Sequence, residues 1–241
     1  MLRTLKYCLT LVLCLTACVN ANAQIGEART TISVGVNGGI VMNTVGFDPT
    51  IKQKQHIGPT FGVTLRMMSE KYFNTYCALQ MELNYAQLGW NEDIYSSADE
   101  PLPDTYQRHM NYIQLPVFAR LAWGRETRGL MGYFMAGPQL GYCYGESTAQ
   151  SDTWTLNAYG NPDRPNGLVA QYSMPLENKF DYGITAGAGI ELHTKIGHFM
   201  IDGRYYYGLS DLYGNGKSDT FARSNNNTIT VKFTYLIDIR K

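Results

Sequence analysis

The feature that most constrains this chain is a series of eight amphipathic segments whose connections alternate between long and short. In each segment apolar residues recur at every second position, which is the period of a β-strand with two different faces. The connections run long, short, long, short, long, short and long. Membrane barrels have this alternation, because their turns on one side of the membrane are short and their loops on the other are long.

The fold class that this pattern predicts is all-β, an eight-stranded antiparallel transmembrane β-barrel with up-and-down (meander) order. The predicted strands are Thr31–Met42, His56–Met68, Tyr76–Trp90, Thr105–Trp123, Leu130–Tyr144, Phe180–His193, His198–Leu212 and Thr228–Asp238. The long connections cover about 43–55, 91–104, 145–179 and 213–227, and the short ones are Ser69–Thr75, Gly124–Gly129 and Thr194–Gly197. An even number of strands places both termini on the side of the short turns, which is the periplasmic side.

The polar faces of the strands favour a membrane barrel over a soluble sandwich. Charged residues recur opposite the aliphatic positions: Arg66, Glu82, Arg120, Glu191, Asp202 and Arg204. Glycines share those faces: Gly35, Gly62, Gly183, Gly187 and Gly189. In a membrane barrel such faces line a narrow lumen, where glycine leaves space, while the aliphatic faces contact lipid.

The six charged residues form the candidate network of the lumen. An eight-stranded barrel is just wide enough inside for side chains, and a buried charge needs a partner. The expected ion pairs are Glu82 with Arg66 or Arg120, and Arg204 with Asp202 or Glu191. We expect a structural network that fills the lumen; a proton or ion path is the alternative, and an open pore does not fit this strand count.

The N-terminus has the pattern of a secretory signal peptide. Two basic residues precede an apolar run, Leu9–Leu15, that is too short to cross a membrane as a helix. Small residues before Gln24 predict cleavage there, which divides the chain into a signal peptide at 1–23 and a barrel domain at 24–241. The alternative is lipidation of Cys18, which ends a segment similar to a lipoprotein box.

Aromatic residues near the strand ends are typical of the two girdles at the membrane surfaces. Trp90 stands at one predicted end and Trp123 at the other, with Tyr72, Phe73 and Tyr76 near the second. These positions place the short turns and the long loops on opposite sides of a lipid bilayer.

Composition excludes several kinds of function. Twenty basic and twenty acidic residues balance, so no basic surface for nucleic acid is expected. No Cys or His cluster has metal-ligand spacing, and His193 and His198 are expected as solvated residues beside a turn. We therefore expect no cofactor and no metal. Cys77 and Cys143 lie near opposite ends of their strands, too far apart for a disulfide.

An enzyme at the rim of the barrel is one alternative function. His109 and Asp104 lie near an outer strand end, with Ser96 or Ser97 in the neighbouring loop as a nucleophile. Loop histidines and acids are common, so we expect no catalytic residue. A second alternative is a lipocalin-like carrier, soluble or lipid-anchored, which requires apolar residues inside the barrel and polar residues outside.

The fifth connection, 145–179, is the expected contact surface. Trp154, Tyr159 and Tyr172 lie there among Asn, Asp and Pro. Loops longer than about 12–15 residues are usually functional or disordered, and exposed aromatics among small polar residues suit protein contacts. A mobile loop without a contact role is the other interpretation.

Four segments, taken in order, resemble the PorT-like outer-membrane β-barrel family of Bacteroidetes. They are Tyr112–Val117, Gly137–Tyr142, Phe180–Gly183 leading into Gly187–Glu191, and Arg204–Leu209. The resemblance spans most of the chain after the signal peptide and implies an eight-stranded barrel with periplasmic termini. The family's founding member takes part in type IX secretion and gliding. The chain departs from many outer-membrane barrels by continuing past Tyr235 to Lys241 instead of ending on an aromatic residue.

The expected function is that of a small outer-membrane barrel that acts as a structural or interaction module of the cell envelope. The resemblance implies an accessory role in a secretion system of the type IX kind. The expected partners are membrane lipids and, through the extracellular loops, other envelope proteins; no nucleic acid is expected.

Overall fold

The computed structural model describes residues 27–28, 30–125, 128–216 and 219–240, and the predicted signal peptide at 1–23 lies outside them. Eight long strands follow in order: β1 Ile32–Asp48, β2 His56–Tyr72, β3 Thr75–Glu92, β4 Tyr106–Gly124, β5 Gly129–Gln150, β6 Phe180–Thr194, β7 Gly197–Gly208 and β8 Arg223–Arg240. Two-residue strands, Glu27–Ala28 and Gln53–Lys54, extend the ladders of β2 and β3. Two 3₁₀ turns, Pro165–Gly167 and Ala170–Tyr172, lie between β5 and β6.

The eight long strands close into a ring. Each strand pairs antiparallel with its neighbours in sequence, and β8 pairs with β1 along almost its full length, from Arg223↔Asp48 to Arg240↔Ile32. Closure leaves no free edge, so the backbone groups of the sheet can be satisfied inside lipid. The predicted all-β, eight-stranded up-and-down barrel is confirmed. Within the described part of the chain, no helix has the length and apolarity that crossing a membrane requires.

The outer surface of the barrel is apolar and its lumen is polar. Outward positions expose large aliphatic side chains, for example Val36 at 60%, Ile57 at 63% and Ile184 at 56%. The alternate positions are buried and include Thr64, Gln80 and many charged residues. Such an exterior belongs in lipid, so the alternative of a lipocalin-like carrier, with polar residues outside, is wrong.

Several strands continue beyond their predicted outer ends. Residues 43–48 extend β1, residues 145–150 extend β5, and residues 223–227 begin β8. These extensions are rich in polar residues, because they rise above the lipid and need no apolar face. The alternation that identified the strands is therefore weak there. Residues 209–212, predicted as part of the seventh strand, lie outside β7, which ends at Gly208.

The lumen also contains two apolar clusters. The outer one packs under the long loops and includes Phe47, Leu88, Trp90, Tyr106 and Tyr213, and the periplasmic one includes Phe118, Met135 and Met200. Trp90 is fully buried, so its predicted place in an aromatic girdle is wrong. Trp90 is an even-numbered residue of β3, and the even-numbered residues of this strand, such as Glu82, face the lumen. Trp123, Tyr72 and Phe73 are exposed at the periplasmic end, whereas Tyr76 is buried.

Candidate functional site

The lumen buries all six predicted charged residues. None of these six side chains is more than 5% exposed, because each sits at an inward position of its strand. Arg66 lies on β2, Glu82 on β3, Arg120 on β4, Glu191 on β6, and Asp202 and Arg204 on β7. They form two networks, one in the middle of the barrel and one nearer the periplasmic end.

The middle network joins β3 to β7 across the lumen. Arg204 Nη1 and Nη2 donate to Glu82 Oε2 and Oε1 at 2.8 and 2.9 Å. Arg204 Nε also donates to Asp202. Lys232 of β8 contributes a second cation, with Nζ 3.1 Å from Glu82 Oε2 and 3.0 Å from Asn37 Oδ1. Two carboxylates and two cations therefore balance, as burial of charge requires.

The periplasmic network is centred on Glu191. Arg66 Nη1 lies 2.6 Å from Glu191 Oε1, and Arg120 Nη2 donates to Oε2. The Arg120 guanidinium also stacks on the Tyr133 ring, 4.1 Å from its centroid. Tyr133 in turn donates to Asp202 Oδ2 at 2.9 Å, which connects this network to the middle one.

The structure shows one of the two expected ion pairs and corrects the other. Arg204 pairs with Asp202 as expected, but Glu82 pairs with Arg204 and Lys232 instead of Arg66 or Arg120. Glu191 pairs with the two arginines that were assigned to Glu82. The difference arises because long side chains in a narrow lumen reach strands on the opposite wall. Lys232 was not among the predicted lumen charges, although it is buried on the inward face of β8.

Two glycines leave the space that these side chains occupy. A Cβ added at Gly187 would lie 2.9 Å from Arg204 Cγ. One added at Gly189 would lie 2.7 Å from Tyr133 Cζ and 2.4 Å from the Ile201 carbonyl oxygen. Real Cβ atoms do not approach so closely, so any larger residue would displace backbone or the network.

The long connection between β5 and β6 folds over the outer mouth of the barrel. Its Arg164 is buried, and Nη2 forms an ion pair with Asp104 Oδ2 at 2.9 Å. The guanidinium lies over the rings of Trp154 and Tyr172, 4.9 and 5.5 Å from their centroids. Tyr172 donates to Glu92 Oε1 at 2.8 Å. Burial, and then the charge of Glu92, raises the pKa of the Tyr172 hydroxyl, which keeps it a neutral donor.

A second arginine fastens the same connection to the barrel wall. Arg108 of β4 forms an ion pair with Glu146 at 2.8 Å and donates to the carbonyl oxygen of Met174 at 2.8 Å. The fully buried Gln171 lies beside Arg108. Its backbone carbonyl oxygen accepts a hydrogen bond from Tyr106 Oη at 3.0 Å. Arg108 and Arg164 were absent from the predicted site; the aromatics on both sides of Arg164 in the sequence are the signal that could have identified it.

The three predicted contact aromatics do not form one surface. Trp154 and Tyr172 stack on each other with centroids 4.7 Å apart and pack against the outer apolar cluster. Tyr159 alone is open, at 90% exposed. Two of the rings therefore pack to hold the loop, and Tyr159 is the one that is open to solvent.

The residues of the rim-enzyme alternative are held apart from one another. Asp104 bonds Arg164 and Thr155, not His109. His109 instead contacts the ring of His56, with centroids 4.9 Å apart. The Ser96 hydroxyl accepts from the backbone nitrogens of its own turn. No orienting pair of histidine and carboxylate is formed at the position that the sequence suggested.

The two histidines beside the last short turn are buried, which corrects the expectation that they are solvated. His193 is 6% exposed, and the side chain of His198 is 12% exposed. Both rings lie against Glu191, with His193 Nε2 at 2.9 Å and His198 Nδ1 at 3.2 Å from Oε1. They face the lumen because they sit at inward positions of β6 and β7.

No curated protein sequence matches the chain. Similar solved structures include OprG from Pseudomonas aeruginosa, with 11% identity over 88% of this chain and 98% of that chain and a TM-score of 0.44. Ail, the attachment invasion locus protein of Yersinia pestis, has 12% identity over 85% and 98%, with a TM-score of 0.36.

The family assignment rests on a match of residues 22–214 to the outer membrane protein beta-barrel domain. The match covers most of the chain and contains seven of the eight strands. This chain therefore belongs to the outer membrane protein β-barrel domain family and is located in the outer membrane.

Proposed function

We propose that this protein is a closed outer-membrane barrel that works as an interaction module of the cell envelope, without catalysis. The observation that carries the proposal is that ion pairs span the whole lumen. Arg204 and Glu82 lie on opposite strands of the ring, β7 and β3, and Arg66 and Glu191 lie on β2 and β6. Because two ion pairs cross the lumen, the outer loops are the surface that remains for function.

The outer end suits recognition because the long connection is folded. Trp154, Arg164 and Tyr172 pack as a base, and the backbone bridge Leu156↔Pro162 begins a tip above it. Tyr159 stands at the tip, where it is 90% exposed. An aromatic side chain has few rotatable bonds and loses little entropy on contact, which favours binding of a protein partner.

The finer part of the proposal is an accessory role in a complex of the envelope, such as a secretion system of the type IX kind. Its support is the resemblance to the PorT-like family of Bacteroidetes. The expected partners are membrane lipids around the barrel and other envelope proteins at the loops. The proposal includes removal of residues 1–23 during export and excludes nucleic acid as a partner.

Site-specific crosslinking tests the contact role. A photoreactive amino acid at position 159 should give discrete crosslinked partners in intact cells. Position 73 is the matched control, because Phe73 is also an exposed aromatic, at 81%, but lies in a short periplasmic turn. Absence of crosslinks specific to position 159 would contradict the contact role.

A deletion strain tests the secretion role separately. Loss of the protein should reduce the amount of secreted or surface-attached proteins, and the wild-type gene should restore it. A Tyr159→Ala variant should reproduce the defect while the barrel still assembles. An unchanged secretome and envelope in the deletion strain would contradict the accessory role but leave the barrel architecture intact.

A further inference from the structure

The periplasmic end of the lumen brings three metal-ligating side chains together. Glu191 and His193 are two residues apart on β6 and therefore share its inward face. His198 of β7 lies directly opposite His193 in the antiparallel register. The tight turn between the two strands thus fixes two imidazoles and one carboxylate on one small patch of wall.

The ligand atoms of these residues converge. Glu191 Oε1, His193 Nε2 and His198 Nδ1 belong to a group whose candidate ligand atoms all lie within 4.8 Å of one another. The two nitrogens are 2.9 and 3.2 Å from the oxygen. Ligands of a tetrahedral zinc ion with bonds of about 2.0–2.2 Å are separated by about 3.4 Å. Small movements of side chains would therefore accommodate an ion.

Asp238 sets the orientation of the second imidazole. Its Oδ1 lies 2.9 Å from His198 Nε2 and accepts from Ser33 Oγ at 2.7 Å. With the proton on Nε2 donated to Asp238, Nδ1 presents a lone pair toward Glu191. That Nδ1 is buried and makes no hydrogen bond of good geometry, although Oε1 is 3.2 Å away. A carboxylate that orients a ligating histidine in this way is a common outer partner at metal sites.

We propose that Glu191, His193 and His198 bind a divalent transition-metal ion such as Zn²⁺ at the periplasmic mouth of the lumen. Two imidazoles and one carboxylate form a ligand set that suits this class of metal, and water from the periplasm completes the coordination. The ion would link the turn between β6 and β7 to the periplasmic network centred on Glu191. The site lies at the opposite end of the barrel from the proposed contact loop, so the two proposals stand independently.

Arg66 and Arg120 limit how strongly the ion binds. Arg120 holds the other oxygen of Glu191, and Arg66 Nη1 lies 2.6 Å from Oε1. Metal binding must share or displace the Arg66 contact, while Arg66 Nη2 keeps Ser33 Oγ as an acceptor at 3.2 Å. The two arginines pair with Glu191 and, as neighbouring positive charges, repel a bound cation. Both histidines are therefore necessary for affinity.

Metal titration of the purified protein in detergent tests the site. Zn²⁺ is titrated in competition with a chelating dye, and Co²⁺ serves as a spectroscopic probe of coordination. One equivalent should bind, with a Co²⁺ absorption band typical of nitrogen and oxygen ligands. His193→Ala or His198→Ala should weaken binding at least tenfold, and Asp238→Asn by about 10–100-fold. His109→Ala is the matched control and should leave binding unchanged.

Folding of each variant is checked by its faster migration on gels without boiling. If an alanine variant fails to fold, His193→Gln and His198→Gln keep similar volume and replace it. Absence of one-equivalent binding by the wild-type protein, or equal binding by folded His193 and His198 variants, would overturn the proposal. Neither result would affect the crosslinking experiment at position 159.

Discussion

Arg204 and Glu82 form a two-point ion pair across the full width of the barrel. Their strands, β7 and β3, stand opposite each other in the ring, and the two hydrogen bonds measure 2.8 and 2.9 Å. Both side chains are almost completely buried. The pair therefore braces two opposite walls of the barrel. We expect it also to obstruct the lumen, which would link the stability of the barrel to its closure.

Removal of Glu82 should destabilise the barrel strongly. Glu82→Gln leaves Arg204 and Lys232 with only Asp202 to balance them, and breaking a buried ion network typically costs about 3–5 kcal/mol. The double variant Glu82→Gln/Lys232→Met restores charge balance and should lose less than the sum of the single losses. Urea unfolding, followed by the gel shift, measures each free energy of unfolding. Additive losses would show that Lys232 is not part of the network.

Substitution of a glycine that faces the lumen should destabilise the barrel far more than substitution of a glycine that faces outward. Gly189→Ala places a Cβ 2.4 Å from a backbone oxygen and 2.7 Å from Tyr133, so we expect about 3 kcal/mol of destabilisation or failure to fold. Gly132 lies directly beside Ile190 in the register and faces outward. A Cβ there meets nothing within 4 Å, so Gly132→Ala should change the free energy of unfolding by no more than about 0.5 kcal/mol.

The measurement for this pair is the fraction of protein that shows the gel shift after refolding into detergent. Equal folded fractions for the Gly132 and Gly189 variants would mean that the lumen has room to spare at Tyr133, contrary to the packing described above.

Arg164 should control the order of the long outer connection. Arg164→Ala removes the ion pair with Asp104 and the cation that lies over Trp154 and Tyr172. The loop should then be cleaved at least tenfold faster by protease added outside the cell, because local opening exposes its backbone. Arg223→Ala is the control, since Arg223 is an exposed arginine at the same end. Unchanged cleavage of the Arg164 variant would show that other contacts fix the loop.

Period-two alternation predicted the strand faces because it reflects one physical requirement, lipid outside and a filled lumen inside. Glu82, Arg120 and Asp202 illustrate this, since all three were predicted on polar faces of their strands and all three are buried. Polar extensions such as residues 145–150 were missed because they lack this alternation. Above the lipid a strand needs no apolar face.

The partners of the charged residues could not be predicted from faces alone. Which arginine meets Glu191 depends on the tilt and stagger of strands around the ring, and this is a property of the closed barrel. The burial of His193 and His198 was missed for a related reason. A short turn suggests exposure to water, but their inward positions place both rings against Glu191.

Electrical recording in planar lipid bilayers tests the central claim, a lumen closed by cross-barrel ion pairs. The purified protein, inserted into a bilayer at neutral pH, should give no steady conductance steps. Insertion is verified by protease protection of the strands, so that a lack of conductance is not mistaken for a lack of inserted protein. Steady single-channel steps from the wild-type protein, with a size that changes in the Glu82→Gln variant, would show that ions pass through the lumen and would contradict the account.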